Sequence, residues 1–248
     1  MNNILLNAEK VNLIYDMGKS TQTYAVKDIN LSLMENTFYG ILGPSGSGKS
    51  SLLYLLSGLK KPSSGKIIFE GNDIQNFNNK ELSDIRKNNF GFIFQRHFLI
   101  NYMTALENVL VPLNSNSDND IKKAKELLEN LDLQNDIDKK PYQLSGGQRQ
   151  RVAIARALIN NPRIIFADEI TASLDHSNAF EVMHLIKSIC KNACILVVTH
   201  DESILSDADK IIHIWDGSIS KVEDINNITN STEAKQAYNL INKFENRR

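Results

Sequence analysis

Phe38-Tyr-Gly-Ile-Leu-Gly43-Pro-Ser-Gly-Ser-Gly48-Lys49-Ser50-Ser51-Leu-Leu-Tyr-Leu-Leu56 joins an apolar run, a glycine loop and a leucine-rich stretch without interruption. Phe38 to Leu42 reads as a strand. Leu52, Leu53, Leu55, Leu56 and Leu59 are spaced for one side of a helix that stops near Pro62. Between them, Gly43 to Ser50 fits the phosphate-loop pattern G-x-x-x-x-G-K-[ST] in the strand-loop-helix setting its chemistry requires. Glycines let backbone N–H groups turn inward around phosphate oxygens, and the helix start adds the positive end of its dipole. Lys49 offers a point charge to the β- and γ-phosphates, and Ser50 a hydroxyl ligand for Mg²⁺. Ser45, Gly46, Ser47, Gly48, Lys49, Ser50 and Ser51 are therefore the nucleotide-binding candidates.

Working outward, Ile164 to Ala167 and Ile195 to Val198 are apolar without alternation, as expected of parallel strands covered on both faces. Helical patterns separate them, so the core is α/β. Arg163-Ile-Ile-Phe-Ala-Asp168-Glu169 places two carboxylates at the end of the first of these strands, where ligands of open α/β sheets collect. Asp168 suits a Mg²⁺ ligand, and Glu169, one residue further, suits a general base that polarises an attacking water. Before the loop, Ile4 to Leu6, Val11 to Tyr15, Tyr24 to Val26 and Ile29 to Leu33 alternate with polar turns and predict a small sheet.

Between Glu81 and Ile164 the pattern is mostly helical. Ile121, Ala124, Leu127, Leu128 and Leu131 form one amphipathic stripe after a polar Asn114 to Asp120 loop. Asp216-Gly217 marks a tight hairpin, Glu223 to Asn230 reads as a polar linker, and Asn230 with Glu233 suits the cap of a last helix carrying Ala234, Ala237, Ile241 and Phe244. The expected fold is a P-loop α/β core with a mostly parallel sheet, an N-terminal antiparallel β subdomain and an inserted helical subdomain over about 96–160. The main domain is expected over 1–222, followed by linker and helix over 223–248.

Composition narrows the partners. With 28 Lys+Arg against 29 Asp+Glu, the formal net charge is −1, which argues against nucleic acid as the main partner. Cys190 and Cys194 lack further ligands at metal spacing and read as core thiols rather than a zinc site. The start shows no signal-peptide pattern, and no run of about 18 apolar residues is present, so direct membrane insertion is not expected and a membrane role would need a partner.

A third motif selects among P-loop classes. In Leu144-Ser-Gly-Gly-Gln148-Arg-Gln-Arg-Val-Ala-Ile-Ala-Arg-Ala-Leu158, Ser145 and Gln148 make a capping box, while Gly146 and Gly147 allow close backbone approach at a helix start. This stretch resembles the signature sequence of ATP-binding cassette (ABC) proteins. Gln95 in Phe92-Ile-Phe-Gln95, Asp175 in Ala172-Ser-Leu-Asp175, His200 in Val198-Thr-His200-Asp and an early aromatic match further motifs in family order. The aromatic is best read as Tyr15, with Tyr24 as its competitor.

The resemblance implies that Gln95 touches Mg²⁺ and the attacking water and reports to a membrane partner. By the same resemblance, Asp175 lines a subunit interface, His200 contacts the γ-phosphate and Tyr15 stacks on adenine. Two copies would sandwich two ATP molecules, each between one copy's phosphate loop and the signature residues Ser145, Gly146, Gly147 and Gln148 of the other. ATP and Mg²⁺ are thus the implied ligands, and an ATPase the implied activity. Three positions depart from the family pattern: Ile170 where Pro usually follows the base, Ser51 where Thr is common, and Ala172 where Ser is usual. Ile170 leaves φ free beside Glu169.

Gly18 to Lys27, Gly91 to Leu99 and Thr104 to Leu113 look like the branch that includes lipoprotein-release, macrolide-efflux and bacitracin-resistance ATPases. That likeness implies an integral membrane permease as partner, a cytoplasmic location on the inner membrane face, and removal or export of peptides, antibiotics or lipoproteins, antimicrobial peptides included. The alternative is a signalling cassette that transmits force without transport, as in the related cell-division ATPases.

Overall fold

The computed structural model describes residues 3–113, 117–172, 176–190 and 192–225. The N-terminal runs fuse into two long antiparallel strands, β1 (Ile4–Tyr15) and β2 (Thr23–Met34). The polar stretches that read as turns are irregularities inside continuous strands. Lys10 and Asp28 take φ of 48° and 46°, and the ladder shifts register between Ala8 and Val11. The displaced N–H groups remain satisfied, because Asn30 Oδ1 accepts from Lys10 N at 3.0 Å and Asn12 Oδ1 from Asp28 N at 2.9 Å.

β3 (Phe38–Leu42) leads through the glycine loop into α1 (Lys49–Leu56). Leu52, Leu53, Leu55 and Leu56 are all fully buried, so this helix is enclosed on more than one side. Leu59 lies beyond the helix end and is exposed, so the helix stops a turn earlier than its leucine spacing predicts. β4 (Ser64–Phe69) and β5 (Asn72–Asp73) complete a four-stranded antiparallel sheet in the order β2-β1-β4-β5.

α2 (Asn79–Asn89) runs into β6 (Phe90–Phe94), a strand inside the stretch expected to be mostly helical. Gly91 explains how it fits: a Cβ there would lie 2.7 Å from Ala157 O, so glycine lets the neighbouring helix backbone close on the strand. That neighbour is the last of three helices, α3 (Ala105–Leu110), α4 (Asp118–Glu129) and α5 (Gly146–Leu158). Ser117 caps α4, so Asp118 to Asp120 form its first turn instead of a loop.

The chain then gives β7 (Ile164–Asp168), α6 (His176–Ile189), β8 (Cys194–Thr199), β9 (Lys210–Trp215) and β10 (Ser218–Asp224). β10 carries the ladder to Asp224, two residues into the stretch read as linker, and residues 226–230 and the expected final helix lie outside the described residues. The large sheet has the order β10-β9-β3-β8-β7-β6, with β10 alone antiparallel to its neighbour. Alternate residues of β7 feed opposite cores: Ile165 and Ala167 join the face carrying α3 to α6, and Ile164 and Phe166 the face carrying α1 and the antiparallel sheet. Both faces are covered, which is why the strand reads as an unbroken apolar run. Among the described residues no helix is long and apolar enough to cross a membrane.

Cys190 and Cys194 are buried and unpaired, and they face these two separate cores. Burial pushes both thiols up to about 12. A thiol reagent should therefore label neither in the native protein at pH 8 and both after denaturation, read by mass spectrometry. Because the folded state holds the neutral thiols, their contribution to stability is full below about pH 9 and is lost as pH rises toward about 12.

Candidate nucleotide site

Strand register builds the site. Leu42 of β3 aligns with Thr199 of β8, Asp168 of β7 with Val198 of β8, and Phe94 of β6 with Asp168. Gly43, His200, Glu169 and Gln95 each follow the last residue of one of these neighbouring strands. Four segments far apart in sequence thus emerge together at the carboxyl edge of one parallel sheet, where α/β proteins place ligands.

The loop itself is shaped by Gly48. It caps α1 with φ of 101°, and a Cβ there would lie 2.2 Å from Ala25 O, so both backbone angle and space demand glycine. The β9–β10 hairpin braces the loop from outside. Asp216 and Gly217 at its tip both have positive φ, Gly217 N donates to Ser47 O at 2.9 Å, and Lys27 N donates to Gly217 O at 2.8 Å. Lys49 is buried, and its ammonium donates to Gly43 O at 2.8 Å and Pro44 O at 2.9 Å, folding the loop around itself. Ser47 Oγ is buried with no partner among the described residues, while Ser45 and Gly46 are exposed at the loop tip.

Asp168 is buried and doubly held. Ser50 Oγ donates to its Oδ1 and Tyr54 OH to its Oδ2, each at 2.7 Å. Ser50 and Tyr54 sit four apart on α1, one above the other, which lets one helix face grip one carboxylate. Tyr54 was not among the sequence candidates; its signal was the four-residue spacing from Ser50. Burial, followed by the Asp168 carboxylate, pushes its phenol up to about 12, so it stays a donor at neutral pH. A hydroxyl from a helix start and a carboxylate from a strand end form an oxygen-only donor set of the kind Mg²⁺ takes, and these residues fit that ion.

Glu169 is half-buried and takes φ of 47°, with its N–H donating to Val198 O at 3.0 Å. Gln95 and His200 are exposed at the same edge. Tyr15 ends β1 with its hydroxyl 3.5 Å from Ser51 Oγ and accepting from Lys60 Nζ at 2.6 Å. The Lys60 ammonium also lies 4.1 Å from the ring centroid. Burial raises the Tyr15 pKa, and the bonds from Lys60 and Ser51 more than offset it, leaving the phenol below its usual value. Tyr15 pairs with Thr23 and Ile14 with Tyr24, so the two tyrosines alternate to opposite faces of the hairpin, and Tyr15 has the face toward α1.

The Ser145 segment stands apart. Gln148 N donates to Ser145 Oγ at 3.2 Å and Ser145 N to Gln148 Oε1 at 2.8 Å, completing the capping box at the exposed start of α5. Ser145, Gly147 and Gln148 line a cavity with Arg151 and Glu181, and Gly146 is exposed beside it. Among the described residues no hydrogen bond joins this segment to the phosphate loop. Asp175 lies outside the described residues.

A glycine loop between strand and helix, with an acidic pair ending a neighbouring strand, defines a P-loop nucleotide-binding protein. Residues 26–172 match the family model for ABC transporters, and the chain belongs to that family. It is 39% identical over 226 residues to the lipoprotein-releasing system ATP-binding protein LolD 1 of Chlorobium chlorochromatii, covering 89% of this chain and 92% of that one. It is 41% identical over 223 residues to the macrolide export ATP-binding/permease protein MacB of Pasteurella multocida, covering 88% of this chain and 34% of that one. The dimeric structure of an ABC transporter cassette from Methanocaldococcus jannaschii superposes with a TM-score of 0.82 at 39% identity, covering 89% of this chain and 99% of that one. The same cassette is known dimeric after hydrolysis, bound to ADP and Pi. The chain is thus an ABC-type ATPase, with the P-loop α/β fold its motifs predict.

Proposed function

We propose that two copies of this chain close on two ATP molecules and drive an integral membrane permease that exports or removes peptides, antibiotics or lipoproteins. The single observation that carries the shared-site reading is the exposed Ser145 segment, a helix start suited to an anion yet unconnected to its own phosphate loop. A second copy supplies the missing half. Dimeric relatives support the reading, as do the LolD and MacB likenesses. Asp175, by family resemblance, belongs to the contact between copies.

In each site the loop N–H groups and Lys49 hold the triphosphate, Tyr15 stacks on the base, and Ser50, Asp168 and Gln95 serve Mg²⁺. When bound, Mg²⁺ neutralises charge on the β- and γ-phosphates. Glu169 accepts a proton from the attacking water, and His200 contacts the γ-phosphate. Residues 1–222 act as the cassette and about 96–160 as its helical subdomain. The permease docks beside Gln95 and holds the cassette on the inner membrane face. There the exposed Phe98, its ring against Phe94, and Val111, next to Pro112, border a cavity of about 420 Å³ lined by Leu59, Phe90, Phe92, Phe94 and Pro112.

Mixing two inactive variants tests the sharing. Lys49→Ala spoils the phosphate loop and Ser145→Arg the signature, so a heterodimer keeps one intact composite site. Mixed samples should recover hydrolysis that neither variant shows alone; no recovery despite proven subunit exchange would count against shared sites.

A further inference from the structure

Gln150 is a buried polar residue that the motifs leave without a role. It sits on α5, five positions after Ser145, and is only 2% exposed. Its Nε2 donates to Ile170 O at 2.5 Å, while its Oε1 is buried and has no partner among the described residues. A carboxamide half satisfied in an apolar core is disfavoured relative to an apolar side chain of the same shape. The bond it does make falls one residue past Glu169.

Glu169 needs holding. Its φ of 47° is a left-handed conformation that a non-glycine residue adopts only when its surroundings enforce it. Two backbone bonds contribute: Glu169 N to Val198 O at 3.0 Å, and Ala172 N to Glu169 O at 3.2 Å. The third restraint is indirect: the Gln150 amide holds Ile170 O, fixing the peptide that follows Ile170 and so the turn that carries Glu169. No ring fixes φ at Ile170 itself.

We propose that Gln150 is a positioning residue for Glu169, holding the general base in its left-handed conformation and linking it to the signature helix. This rests on the reading of Glu169 as the base. Because α5 also carries Ser145 and Gly146, any shift of that helix as it engages the opposite nucleotide is passed to the base of its own subunit. The two sites of a dimer are thereby connected through one buried side chain in each copy.

Single-turnover ATP hydrolysis by the full chain tests this. Gln150→Met keeps the shape and removes the donor; it should lower the hydrolysis rate about ten- to hundredfold, with ATP affinity within about twofold and no loss of thermal stability. Gln150→Leu, which likewise cannot donate, should lose as much and provides the same reading if Gln150→Met fails to fold. In a Glu169→Gln background, Gln150→Met should change the residual rate less than about twofold. A full rate for Gln150→Met, or a change in ATP affinity alone, overturns the proposal. If Glu169→Gln itself turns over normally, the base assignment fails instead, so the two failures are told apart.

Discussion

Replacing Glu169 with Gln should abolish nearly all hydrolysis, by at least about a hundredfold, while ATP still binds with affinity within a few-fold of the parent. The separation follows from position. Glu169 makes no hydrogen bond to the phosphate loop, and its backbone is held by Val198 O and Ala172 N, which the amide leaves untouched. A carboxamide keeps the shape and cannot take the proton from water. Equilibrium binding of a fluorescent ATP analogue beside a phosphate-release assay checks both halves. Undiminished turnover would remove Glu169 from the role of base.

Lys49→Ala should show the opposite division, losing binding first. The buried ammonium donates to Gly43 O and Pro44 O, so its removal opens the loop and, on the proposed reading, withdraws the charge offered to the phosphates. Charge-assisted hydrogen bonds are worth about 1.5–3 kcal/mol each, so ATP affinity should fall about a hundredfold by calorimetry. Thermal stability should fall as well, because Gly43 O and Pro44 O lose their ammonium donor. ATP affinity within twofold of the parent would mean that the loop grips phosphate through its backbone alone.

How much was legible in the sequence depended on how local the cause was. The phosphate loop, α1 and the acidic pair after β7 could be read because spacing along one segment determines them. The unbroken apolar runs of β7 and β8 announced burial on both faces. β6 was missed because Gly91 breaks its short apolar run, Phe90-Gly-Phe-Ile-Phe, and its strand state comes from pairing with β7 and from aromatic packing, with Phe92 and Phe166 rings stacked at 5.7 Å. The Lys10 and Asp28 bulges looked like turns because their compensating acceptors, Asn30 and Asn12, sit on the opposite strand. Tyr54 carried only its four-residue spacing from Ser50, and Gln150 no signal at all, because their partners lie 114 and 20 residues away and only the fold brings them within reach.

The arrangement as a whole reads as two half-sites on one chain. One half, at the carboxyl edge of the parallel sheet, gathers the phosphate loop, Asp168, Glu169, Gln95 and His200. The other, the start of α5, presents Ser145 and Gly146 to solvent. Gln150 spans the interior between them.

Light scattering of the Glu169→Gln variant, with and without ATP and Mg²⁺, addresses the pairing of these halves most directly. The expected outcome is the mass of two chains when nucleotide is present and of one chain when it is absent, with Ser145→Arg preventing the change. A particle that stays at the mass of a single chain while saturated with ATP would contradict it.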